Sequence, residues 1–378
     1  MRLRSFTMAL LCGGVTFLTV SCENEMEEMD MKAVSKTQNA IGLSSAGQDR
    51  FAIKTPTNFG PMSENLRNII VGEAVAESDC GPTEFVTVQR KYARPLVADP
   101  LAFSNYSLYS QLNQLYSYLL DRGPQYFGVD GEYTDLMTKR QRELEKFWNM
   151  PNQIRVNGQH GATLNDREAL ADMMQNFIVG VNSREMAYAY ADMLMAENAK
   201  SPNLPESPYF SLDGFATTYD NLIVIGDGLV QMLSESGVDA DIVWTGILAH
   251  EWAHQIQFKN MKTWYPKGAA SDIPEATRYT ELEADFLAAY YMTHKRGATY
   301  NSKRVEQFFN LFFQIGDCGF TSDGHHGTPV QRLAAAQLGF DLADSAQKQG
   351  HIMSIEEAHA YFVANVGNIV APATVYVQ

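Results

Sequence analysis

His250, Glu251 and His254 sit in the run Ile247-Leu-Ala-His-Glu-Trp-Ala-His-Gln-Ile-Gln257. Val243, Ile247, Leu248, Trp252 and Ile256 recur at three- and four-residue steps, and neither Pro nor Gly interrupts the run up to Lys259, which predicts a helix. On a helix, residues four apart share a face, so His250 and His254 can bind one metal ion together. Glu251 is one position round, close enough to take a proton from a metal-activated water without itself ligating. The same residues also suit an ordinary helix with two packed histidines and a surface glutamate. The segments after the motif bear on that choice.

A zinc ion held by two histidines needs at least one more protein ligand and an open position for water. One continuation of such motifs places a histidine at position 260, where this chain has Asn260. The other places a glutamate on a second helix, and Tyr279-Thr-Glu-Leu-Glu-Ala-Asp-Phe286 offers Glu281, with Asp285 on the same face. The motif helix is expected to end near Met261, with a loop through Lys267-Gly268 and an antiparallel helix from about Ile273. Glu283 is the competing ligand, but two residues along a helix turn it about 200° from Glu281. The coherent assignment is Glu281 on the metal and Asp285 accepting an N–H from a ligating histidine.

His250-Glu-Trp-Ala-His-Gln-Ile-Gln257, Glu281-Leu-Glu-Ala-Asp285 and His326-Gly-Thr-Pro-Val-Gln-Arg332 occur in that order. Together they resemble the bacterial neutral zinc metallopeptidases and, more distantly, the gluzincins related to prenyl-protein and heat-shock membrane peptidases. Phe215-Ala216, Leu222-Ile-Val-Ile225 and Gly228-Leu229 resemble the strand-turn-helix entry of those families, so the likeness covers about 205–341. Ala253 stands where the motif usually has Gly, and Phe286 where it often has Cys; neither is a ligand position. The resemblance implies a zincin-like fold and zinc-dependent hydrolysis of a peptide or protein substrate. It further implies one Zn²⁺ on His250, His254 and Glu281, and Glu251 as general base. His326 is the expected donor to the carbonyl oxygen, with Tyr279 and Tyr290 as alternatives. Arg332 is expected as an ion-pair partner of Asp285, and the Leu222–Ile225 strand as an edge for an extended peptide.

Two rival readings stay open. In one, the zincin region is inactive or latent and the protein is a lipid-anchored binding or scaffold protein. In the other, the metal is structural, its fourth position closed by His294 or His326.

The elements that must position these residues lie in a 378-residue chain with 45% hydrophobic residues and a net charge of −15, a balance that repels phosphates and excludes nucleic acid as a natural partner. Arg2 and Arg4 precede an apolar run from Met8 to Val20, then Ser21-Cys22. The stretch resembles a bacterial lipoprotein signal, with Thr19 departing from the usual Leu, and implies lipidation of Cys22. A plain secretory signal cut nearby is the alternative. The acidic run Glu23–Asp30 reads as a solvated tether and also resembles the surface-export signal of some diderm lipoproteins. The expected place is therefore the bacterial outer membrane, held through lipid at Cys22 and facing the periplasm or the cell surface. In that oxidising compartment Cys80 and Cys318 could pair.

The expected organisation is a signal over 1–21, a tether over 22–61, a mainly helical region over 62–200, the zincin region over 201–341, and a C-terminal helix and tail over 342–378. Glu84–Gln89 reads as strand-like. Helices are expected at Ser107–Asp121, Thr134–Met150, Asp166–Phe177 and Ser183–Glu197, with Asp166 and Ser183 as caps. His160, between glycines, reads as part of a polar turn. Ser201–Pro208 is a break, followed by strands at Tyr209–Thr217 and Asn221–Gly226. The fold class is α+β, mostly helical, with a small sheet before the motif helix.

Overall fold

The strand-like piece at Glu84–Gln89 is the start of a helix, α1 (Glu84–Ala98). Its β-branched Val86, Thr87 and Val88 favour a strand locally, but Phe85, Val88, Gln89 and Leu96 fall on one buried face at helical spacing, and packing decides. The computed structural model describes residues 83–264, 273–299, 302–315, 327–346 and 350–370. Cys22, Cys80, Cys318 and His326, with the signal and tether, lie outside them. Among the described residues no helix is long and apolar enough to cross a membrane.

Capping residues set most of the N-terminal helices. Helix α2 (Pro100–Leu115) begins well before Ser107 because Asp99 accepts from Leu101 N and Ala102 N while Pro100 fills the first turn. It ends in a π turn, Tyr116–Leu120. Helix α3 spans Thr134–Phe147. Helices α4 (Arg167–Phe177) and α5 (Arg184–Asn198) start where expected, with Asp166 accepting from Ala169 N at 2.8 Å and Ser183 from Met186 N at 3.2 Å.

Three strands form one sheet in the order β1-β3-β2. Strand β1 (Arg155–Gln159) runs parallel to β3 (Leu222–Gly226), and β2 (Gly214–Thr217) runs antiparallel to it. Strand β2 is shorter than expected because Pro208–Phe210 makes a 3-10 turn. The sequence gives no sign of β1, since Arg-Val-Asn-Gly-Gln lacks the apolar alternation of a strand. Its presence corrects one expectation: β3 has a neighbour on both sides, so Leu222–Ile225 presents no edge to a peptide. The β1–β3 pairing also spans the break at Ser201–Pro208, and Phe85, Trp148, Leu194 and Trp252 belong to one hydrophobic core.

After α6 (Asp227–Glu235) comes the motif helix α7 (Ala240–Trp264), buried at every position from Ile242 to Gln257. A helix buried on all sides needs packing elements all round it. The sheet, α3, α6, α8 (Ile273–Thr293) and α9 (Ser302–Gln314) supply them. Gln255 ties α7 to the sheet, its Nε2 donating to Thr217 O at 2.9 Å and to Leu222 O at 3.0 Å. Helices α10 (Pro329–Ala346) and α11 (Ile355–Val370) then pack on α8. The α8–α10 contact is close: a Cβ on Gly339 would sit 2.2 Å from Phe286 O and 2.9 Å from Tyr290 N. We expect Gly339→Ala to push these helices apart and cost roughly 1–3 kcal/mol, measurable by urea unfolding; an unchanged midpoint would show that the helices accommodate the methyl.

Candidate metal centre

Helices α7 and α8 bring His250, His254 and Glu281 together. His250 Nε2 lies 3.1 Å from His254 Nε2 and 3.2 Å from Glu281 Oε2, and His254 Nε2 lies 3.3 Å from Glu281 Oε1. Zinc–ligand bonds of about 2.0–2.1 Å in a tetrahedron put neighbouring ligand atoms roughly 3.3–3.4 Å apart. The two nitrogens and the carboxylate are spaced along such edges, and this donor set suits a borderline cation. Among the described residues these three form the one His/Cys/Asp/Glu group compact enough to hold a metal ion. All three are buried, as is Glu251 at 0% exposure, so the picture of an ordinary helix with a surface glutamate does not hold.

Asp285 and Arg332 meet beside these three residues. Arg332 donates through Nε and Nη2 to the two oxygens of Asp285, both at 2.7 Å, and its Nη2 lies 3.5 Å from Glu281 Oε2. Its Nη1 donates to Ile315 O at 3.2 Å, anchoring the end of α9. Asp285 Oδ1 also lies 3.0 Å from His250 Nδ1, the geometry that turns the opposite nitrogen, Nε2, toward the metal position.

Burial opposes a charge on His250, but hydrogen bonds to Asp285 and Glu281 outweigh it and raise its pKa to about 9. Because the folded value exceeds the ordinary 6.5, the proton on His250 stabilises the metal-free fold fully below about pH 6.5. That contribution is lost as pH rises through about 9. A metal ion must displace this proton. We therefore expect apparent zinc affinity to rise with pH, by up to about tenfold per unit, and to level off near pH 9. Chelator competition across that range checks it; a flat profile would mean that no proton leaves His250.

Glu251, His250 and Arg332 form the polar end of a small cavity of about 30 Å³, whose walls include Phe85, Leu229, Leu233 and Leu311. That is room for about two waters. Phe85 brings α1 to the site: Phe85 N donates to Gln314 Oε1 at 2.9 Å and Thr83 Oγ1 to Gln314 O at 3.0 Å, pinning the start of α1 to α9.

Other singled-out residues lie elsewhere. Glu283 points away from the ligands, as its half-turn offset requires, and accepts from Gln257 and His359. His294 Nε2 donates to His351 O at 2.9 Å while its Nδ1 accepts from Arg296 N, so it does not close a fourth metal position. The Tyr290 hydroxyl accepts from Met353 N at 3.0 Å, near the start of α11. Tyr279 is half-buried on α8. His160 is buried, not a polar turn: its Nδ1 pairs with Asp227 at 2.6 Å and its ring stacks on Tyr126. It joins the end of β1 to the start of α6, because the parallel β1–β3 pairing ends both strands at the same level. Sequence reasoning missed Gln257 and His359. Gln257 is three residues from His254 on one helix face, a spacing open to inspection; His359, on a distant helix, has no such signal.

No protein-family model matches the chain, nor does any curated protein or solved structure at a significant level.

Proposed function

We propose that the protein is a zinc-dependent endopeptidase of the gluzincin type, with a zincin-like arrangement of α7 and α8. The observation that supports this best is the spacing of His250, His254 and Glu281 at tetrahedral edges, with Glu251 facing the adjoining cavity. A zinc ion held there would acidify a water and polarise a carbonyl. Glu251, one position round from His250, accepts the proton of the attacking water and returns it to the leaving amine nitrogen. Asp285 keeps His250 oriented, and Arg332 balances the carboxylates of Asp285 and Glu281. The likeness of residues 18–22 to a lipobox supports attachment through Cys22 to the outer membrane, facing the periplasm or the cell surface.

One observation favours latency as a second reading. The cavity at Glu251 holds about two waters, and Phe85 of α1 forms part of its wall. Leu311 of α9 stands in the same wall, so α1 and α9 both crowd the approach to the buried Glu251.

Incubating the zinc-loaded chain from Glu23 onward with a peptide library tests both readings. Internal cleavage products support an endopeptidase. Trimming from the ends alone overturns the endopeptidase assignment, and zinc binding without any cleavage favours the latent protein.

A further inference from the structure

We propose that Glu283 and His359 are positioning residues of the metal centre, which through Gln257 hold His254 in the tautomer that leaves Nε2 free to ligate. The inference rests on the metal-site reading above and adds the C-terminal helix α11 to it.

The hydrogen bonds around Gln257 fix the orientation of its amide. Gln257 has one end that donates and one that accepts. Its Nε2 lies 2.8 Å from Thr280 O, a carbonyl that can only accept, and 3.1 Å from Glu283 Oε2. The amide nitrogen must therefore occupy that end, which leaves Oε1 on His254 Nδ1 at 2.8 Å. His254 Nδ1 must then carry its proton, and the lone pair falls on Nε2, the atom facing His250 and Glu281. Flipping the Gln257 amide would set oxygen against two acceptors.

The other oxygen of Glu283 accepts from His359 Nδ1 at 2.6 Å. Glu283 is fully buried, and a carboxylate there is costly without hydrogen bonds on both oxygens. The His359 ring lies flat on Trp264 at the end of α7, with centroids 3.9 Å apart and planes within 2°. His359 is thus gripped by the motif helix on its face and by α8 at its edge. The line His254–Gln257–Glu283–His359 crosses three helices, α7, α8 and α11, and each link fixes the next.

The test compares the full chain with His359→Ala, His359→Asn and Glu283→Gln. Three quantities are read: zinc affinity by chelator competition, the visible spectrum of the cobalt-substituted protein, and the melting temperature of the metal-free protein. We expect His359→Ala to weaken zinc binding by about 10–100-fold and to shift the cobalt bands. His359→Asn, whose amide donates from near the position of Nδ1, restores most of both. Glu283→Gln, whose single amide oxygen cannot accept from both Gln257 and His359, weakens zinc binding several-fold and serves where the alanine variant does not fold. A lower melting temperature with unchanged zinc affinity and cobalt spectrum in His359→Ala, or parent-like zinc binding in Glu283→Gln, overturns the proposal alone. Failure of the parent itself to bind zinc overturns the metal site and this inference with it.

Discussion

Glu251→Gln will keep zinc bound in the parent stoichiometry and lower kcat/KM for peptide cleavage by about 10²–10⁴-fold. The amide has almost the shape of the carboxylate and fits a fully buried position, so α7, α8 and the three candidate ligands stay in place. What it loses is the ability to take a proton from water and pass it to the leaving nitrogen. Zinc content and cleavage rate, measured on the same preparation, separate this from damage to the site. Parent-like turnover would remove Glu251 from the chemistry, and loss of zinc would mean that Glu251 supports the metal position instead.

Arg332→Met should give the largest loss of stability in the site, about 3–5 kcal/mol in the metal-free protein. Arg332 is 1% exposed, and its two hydrogen bonds to Asp285 offset the burial of that carboxylate. Removing it leaves Asp285 and Glu281 facing each other with only the charge on His250 between them. Methionine fills much of the same volume, so the loss reports mainly on charge and not on a cavity. Adding Asp285→Asn removes the stranded charge and should recover part of the loss, a coupling that urea unfolding of the two single variants and the double variant measures. A loss below about 1 kcal/mol, the range of an exposed pair, would show that the pair is not buried in solution.

The parts legible in the sequence are those that follow local rules. His250, His254, Glu281 and Asp285 could be placed on two facing helices because four-residue spacing fixes a face. The boundaries of α4 and α5 could be read because Asp166 and Ser183 are capping residues in the right place. Glu283 could be set aside because two residues along a helix mean about 200° of rotation. The rest depends on partners distant in the chain. Strand β1 has no strand-like pattern of its own and exists because β3 offers it a hydrogen-bonding edge. Helix α1 reads as a strand until its buried face meets α6 and α9. His160 reads as a turn residue in the sequence because its partner, Asp227, lies 67 positions away. His359 and Glu283 are 76 positions apart, and no spacing rule connects them.

The central claim, that zinc on His250, His254 and Glu281 makes this chain a peptidase, is tested most directly by titrating the metal-free protein with zinc while following peptide cleavage. The account predicts no cleavage before zinc is added, a rise with each increment, and a plateau at one zinc per chain, with Glu281→Gln shifting the rise to far higher zinc. Cleavage that is already full in the metal-free protein, or that never appears with one zinc bound, would contradict it.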